Sequence, residues 1–121
     1  MTIGIGGVTI DCENPRALAE FWTKALGYEV VADYEGEFLF LGLPGMTFGD
    51  SLYVGLQRVP EKRLGKNRVH LDFHTEDRPA EVARLVALGA AELDVQTIPG
   101  LTWTVLADPE GNEFCVGSSN G

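Results

Sequence analysis

With 121 residues, 45% of them apolar and 22% charged, the chain has an ordinary globular composition and length enough for a real core, which excludes intrinsic disorder. Its 18 acidic residues against 9 basic ones leave a net charge of −9, and an acidic surface repels phosphate backbones, so nucleic acid is not an expected partner. No apolar run approaches the ~20 residues that span a bilayer, and the start Met1-Thr2-Ile3-Gly4 lacks a secretory leader's basic and apolar regions, so the expected setting is cytoplasmic, away from membranes.

Ile3 to Cys12 reads as a strand rich in Ile and Val, loosened at its start by Gly4, Gly6 and Gly7. Asn14 then caps a helix with Pro15 at its first position, where a missing N–H costs nothing. Ala17, Leu18, Phe21, Trp22, Ala25 and Leu26 form its apolar stripe, and Gly27 ends it. Three strands are predicted next, Tyr28 to Asp33, Phe38 to Leu43 and Ser51 to Val59. A turn at Glu35-Gly36-Glu37 separates the first two, and Pro44-Gly45-Met46 opens a loop before the third. The polar, basic stretch Pro60 to Lys66 is the natural connector between halves.

The order then repeats. Asn67 to Thr75 is a predicted strand, and Asp77 to Leu88 a helix with Pro79 in its first turn, Val82, Leu85 and Val86 on its stripe and Gly89 as its stop. Ala91 to Thr97, Leu101 to Ala107 and Glu113 to Gly117 are predicted strands. Turns at Pro99-Gly100 and Asp108-Pro109-Glu110-Gly111-Asn112 join them, and Ser118 to Gly121 reads as a frayed tail. Val8-Thr9-Ile10-Asp11 matches Val69-His70-Leu71-Asp72, and Ala25-Leu26-Gly27 matches Ala87-Leu88-Gly89. Such a half-length period means two βαβββ modules: about 1–59 and 67–117, with connector 60–66 and tail 118–121, in a single domain.

The stretch Arg68 to His74 alternates strictly. Val69, Leu71 and Phe73 take one face of a strand; Arg68, His70, Asp72 and His74, with both histidines of the chain, take the other. A charged strand face is commonly just wet. Here each module carries one helix, which must cover the apolar faces of its strands. The opposite faces, with Thr9 and Asp11 in one module and His70 and Asp72 in the other, are then expected to line a polar hollow.

The paired modules, the signature Val8-Thr9-Ile10-Asp11…Pro15…Phe21-Trp22…Leu26-Gly27-Tyr28 and the closing Asp108-Pro109-Glu110-Gly111-Asn112-Glu113-Phe114 resemble the vicinal oxygen chelate superfamily. That group contains glyoxalase I, bleomycin-resistance proteins and extradiol dioxygenases. The run Lys66 to Asp72 is most similar to its glyoxalase-like domain branch. The resemblance implies an α+β fold, two βαβββ modules forming curved mixed sheets around a cavity, and a homodimer.

It also implies, in metal-dependent members, a ligand near the start of the first strand of each module and a carboxylate on the last strand. Carried over, these positions fall on Gly7, on Arg68 and on Cys115, three past Asn112, with a further one near Gln57. None is a histidine or glutamate, so no metal is expected. The one divalent alternative is a displaced set of His70, Asp72 and Glu113.

Without an ion, the hollow is read as a site for a small, largely planar organic molecule. Thr9, Gln57, His70, Asp72, Glu113 and Cys115 are its candidate polar contacts, and Trp22 and Trp103 its flat surfaces. His70 and Asp72, about 7 Å apart along a strand, are the catalytic candidates, as a general base and its carboxylate. At that spacing a direct bond between them is not assured. His74 is read as a surface residue. Cys12 and Cys115 are expected to be reduced thiols, on differently facing sides of their strands. No sequence neighbour favours the thiolate of Cys115 and Glu113 opposes it, so Cys115 is read as a small lining residue. Two functions stay open: a binding protein that clamps a planar guest, or a lyase, isomerase or dioxygenase acting on a small oxygenated metabolite through His70 or an ion.

Overall fold

A computed structural model of the chain describes residues 3, 5–46, 51–65 and 67–120. Gly4 of the expected first strand, Lys66 of the expected connector and Gly121 of the expected tail lie outside them. The chain divides into two compact units, Met1–Lys62 and Arg63–Gly121.

The first unit runs β1 (Gly7–Cys12), α1 (Pro15–Leu26), β2 (Glu29–Tyr34), β3 (Phe38–Gly42) and β4 (Tyr53–Arg58). Its four-stranded sheet has the order β1-β4-β3-β2, with β1 parallel to β4 and the other pairs antiparallel. Asn14 caps α1 by accepting the Ala17 N–H at 3.2 Å, and Gly27 ends it at φ 68°, a conformation that costs glycine little. Leu18, Phe21 and Trp22 bury the apolar stripe of α1 against Leu39, Leu41, Val54 and Leu56. Each such aliphatic side chain, fully buried, is worth about 1.5–3 kcal/mol.

The second unit repeats the plan with β5 (Leu71–His74), α2 (Arg78–Leu88), β6 (Ala91–Ile98), β7 (Leu101–Ala107) and β8 (Glu113–Ser119). Its sheet order is β5-β8-β7-β6, with β5 parallel to β8. Asp77 caps α2 through the Ala80 N–H at 3.1 Å. Val82 and Leu85 pack one face of the sheet, where Leu106, Phe114 and Val116 are buried. Buried Thr104 is satisfied there by the Arg78 guanidinium, which donates at 2.8 Å. The fold class is α+β, two four-stranded mixed sheets each with one helix.

Strand ends depart from expectation where pairing stops. β1 begins at Gly7, not Ile3, because its partner β4 begins opposite it at Tyr53; Ile3 and Ile5 are exposed. β5 is confined to Leu71–His74, which pair with Phe114–Gly117 of β8. Arg68, Val69 and His70 therefore precede the strand, and Val69, expected on the core face, is 81% exposed. Two residues of the expected frayed tail are instead paired: Ser118 and Ser119 lie opposite Thr102 and Leu101, and Ser118 is buried.

Candidate functional site

The face of the second unit's sheet turned away from α2 carries the candidate site. Along β8, Phe114, Val116 and Ser118 are buried on the helix side, so Glu113, Cys115 and Gly117 take the other side by the period of two. Register then sets the rows. Cys115 lies between Asp72 of β5 and Val105 of β7, and Val105 faces Asp94 of β6. Gly117 lies between His74 and Trp103, and Trp103 faces Gln96. These residues line a cavity of about 810 Å³, together with Leu101, Ile98, Leu93, His70, Asn67 and Glu113. Leu101, Trp103 and Val105 on β7 form its apolar wall, with Asp94 and Gln96 of β6 on one side and, on the other, a polar end of His70, Asp72 and Cys115.

At the polar end the His70 Nε2 stands 3.2 Å from the Asp72 Oδ1, so the two are in direct reach despite their separation along the backbone. His70 lies just before the strand. Donor atoms of His70, Asp72 and Cys115 all lie within 4.8 Å of one another. Glu113 is turned to the connector instead: the Arg63 guanidinium donates to its carboxylate at 3.2 Å, and the Asn67 amide donates to its carbonyl at 3.0 Å. On β6, the Gln96 amide donates to the Asp94 carboxylate at 2.6 Å.

Of the sequence candidates, His70, Asp72, Trp103, Glu113 and Cys115 line this cavity. Thr9 and Gln57 stand exposed on β1 and β4, in the sheet of the first unit. Trp22 is not a ligand surface: it is 1% exposed, edge-on to Phe21 in the first unit's core. His74, expected at the surface, is exposed and also borders the cavity. Sequence reasoning missed Asp94, Gln96, Leu101 and Val105, which the alternation along β6 and β7 marks as sharing a face with Trp103. It also missed Arg63, whose position on Glu113 no local pattern signals.

The carried-over ligand positions need one correction. The helix caps Asn14 and Asp77 lie 63 positions apart, and counted from them Gly7 corresponds to His70, not Arg68. The match of Asp11 to Asp72 is two residues out of register, a slip that keeps every side chain on its face and so leaves the alternation intact. Even so, the implied ligand set does not fit an ion. A Cβ at Gly7 would meet the Tyr53 ring at 2.6 Å and Gln57 is a neutral amide, so two of the four positions supply no strong ligand; His70 and Cys115 remain, and with Asp72 they are the described residues close enough together to hold an ion. The displaced set of His70, Asp72 and Glu113 is not formed among the described residues, because Glu113 is held by Arg63 and Cys115 takes its place beside the other two.

Comparison with known proteins was made against this geometry. A family model described as a glyoxalase-like domain matches residues 7–117. No curated protein matches the chain. Among solved structures, a glyoxalase/bleomycin resistance protein/dioxygenase family enzyme from Burkholderia phytofirmans is similar with 19% identity and a TM-score of 0.74, over 93% of this chain and 96% of that one. The fosfomycin resistance protein FosX from Listeria monocytogenes, solved with Mn(II) and 1S,2S-dihydroxypropylphosphonic acid, is similar with 13% identity and a TM-score of 0.76, over 96% and 90%. A lactoylglutathione lyase from Agrobacterium tumefaciens is similar with 20% identity and a TM-score of 0.69, over 95% and 92%. At these identities the solved structures bear on the fold, whereas the family model spans nearly the whole chain. The chain belongs to the glyoxalase-like domain family and has the fold of the glyoxalase/bleomycin resistance/dioxygenase proteins.

Proposed function

We propose that the cavity of the second unit binds a small, largely planar organic molecule and holds no resident metal ion. The observation that carries this reading is one sheet face that joins a flat apolar wall, Leu101, Trp103 and Val105, to a polar end where His70, Asp72 and Cys115 converge. Pockets of this kind draw affinity from the apolar wall and orientation from a few polar groups. A planar guest stacks on Trp103 and directs its oxygen atoms toward His70.

The test is a thermal-shift screen of planar aromatic ketones and carboxylates, followed by titration of the hits. Trp103→Ala is expected to weaken binding roughly tenfold, about 1.4 kcal/mol. Elemental analysis of the purified protein is expected to find less than one divalent ion per ten chains; one ion per chain contradicts the metal-free reading.

A second reading is an enzyme, a lyase or isomerase in which His70 moves a proton of a small oxygenated metabolite. The 3.2 Å approach of His70 to Asp72 favours it, because a carboxylate that orients an imidazole is what a general base requires. His70→Ala separates the two: turnover lost with binding retained supports the enzyme, whereas hits that are bound and never converted by the native protein support the binder.

A further inference from the structure

The cavity holds a nucleophile as well as a surface. Cys115 lies beside Asp72 in the β5–β8 register, and the His70 Nε2 is 3.2 Å from the Asp72 carboxylate. The three functional groups lie within 4.8 Å of one another, with the imidazole set against the carboxylate. A thiol, a base that can take its proton and an acid group that orients the base are the parts of an activated cysteine. Thiol–base distances are commonly long before a reactant is bound and tighten when it is. Both thiols are buried, Cys12 5% and Cys115 6% exposed, but Cys115 lines the cavity in the unit that holds both histidines, whereas Cys12 is in the first unit, so the protein contains its own control.

We infer that Cys115 is a nucleophile toward conjugated carbonyl compounds and that the planar guest of this cavity is captured covalently as a thioether. This deepens the small-molecule reading above and rests on it. The flat wall of Leu101, Trp103 and Val105 holds an enone's conjugated plane beside the thiol. The Cys115 Sγ forms a bond to the β-carbon, and the π pair of the C=C bond moves through the conjugated system to the carbonyl oxygen. The thiol proton passes to the His70 ring and returns to the α-carbon. Nothing leaves, no electrons are exchanged with an outside oxidant or reductant, and the protein gains the whole mass of the enone. His70 acts here through Cys115, and Asp72 positions His70.

The experiment incubates the full-length protein, after EDTA treatment and desalting, with 4-phenyl-3-buten-2-one. The saturated ketone 4-phenylbutan-2-one, which has no C=C to attack, serves as the reversible probe. Intact mass and peptide mapping are expected to show one adduct, on Cys115 and not Cys12, forming with saturable kinetics and slowed by the saturated ketone. Cys115→Ser is expected to abolish it. His70→Gln, which keeps a hydrogen-bonding side chain beside the guest, is expected to lower the limiting rate at least about tenfold while weakening the saturated ketone far less, a split that a merely structural change would not produce. The His70 side chain is 43% exposed and outside the core, so this variant tests the idea even if Cys115→Ser fails to fold.

Any of the following results overturns the inference. Cys12 and Cys115 are alkylated at the same rate; His70→Gln reacts as fast as the native protein; or Cys115 becomes reactive only after a stoichiometric ion is stripped, which makes it a ligand instead. Binding of the saturated ketone without any adduct from the enone sinks the covalent step and leaves the cavity reading standing. Failure of both probes to bind counts against both.

Discussion

Trp22 and Trp103 show how one residue type serves two ends. Trp22 sits on the buried stripe of α1 at 1% exposure, so Trp22→Ala is expected to destabilise the protein by about 3–5 kcal/mol, read as a fall in urea midpoint. Trp103 stands over Gly117 on the open face of its sheet, and its loss is expected to cost ligand affinity more than stability. The helical spacing around Trp22 marked it as core, and its aromatic ring kept it a candidate surface; periodicity was the better guide. Gly7 is a further residue-scale test. Tyr53 fills the space its missing side chain leaves, so Gly7→His is expected to displace that ring and destabilise by about 1–3 kcal/mol rather than create a metal ligand. Denaturation and zinc titration of the same variant check both halves of that statement. That His70 and Asp72 share the cavity was legible from alternation. Their direct approach was not, because alternation assigns side chains to a face and does not say which of them meet.

At the scale of elements, the helices were the most legible parts because their limits are written locally, in Asn14-Pro15, Gly27, Asp77 and Gly89. The strands were less so. Sequence alternation runs from Arg68 to His74, yet the ladder begins only at Leu71, and Ser118 and Ser119 read as tail until β7 is there to pair with them. The turn before β8 depends on Asp108, 3% exposed, whose carboxylate accepts the backbone N–H groups of Glu110 and Asn112, each at 2.9 Å. Asp108→Ala strands those donors and is expected to cost about 1–3 kcal/mol in chemical denaturation. The β2–β3 hairpin carries an acid-sensitive tie. The Arg16 guanidinium donates to Asp33 at 2.9 Å and the Gly36 N–H donates at 2.8 Å, and together they hold the Asp33 carboxyl below its usual range. A depressed folded value stabilises above the ordinary aspartate value of about 3.9 and is lost as pH falls through the folded one. Asp33→Asn is therefore expected to flatten the decline of the urea midpoint below about pH 4, and a decline equal to that of the native protein contradicts the tie.

At the scale of the whole molecule, the repeated order β1-β4-β3-β2 and β5-β8-β7-β6 was readable as a half-length period, because strand, helix and turn signals recur together. The two units differ in what the faces turned away from their helices carry: Tyr53, Gly55 and Gln57 on one, Cys115, Trp103 and His70 on the other. No helix among the described residues is long and apolar enough to cross a membrane. The homodimer implied by the family resemblance predicts a sedimentation-equilibrium mass of twice the 13.1 kDa chain, and a mass of one chain contradicts it. The central claim, that the second unit's cavity is the small-molecule site, is tested most directly by amide and indole N–H spectra of the full chain titrated with 4-phenylbutan-2-one. Saturable shifts concentrated at His70, Asp72, Trp103 and Cys115, with Trp22 unmoved, are predicted. Shifts centred on the first unit, or none that saturate, would contradict it.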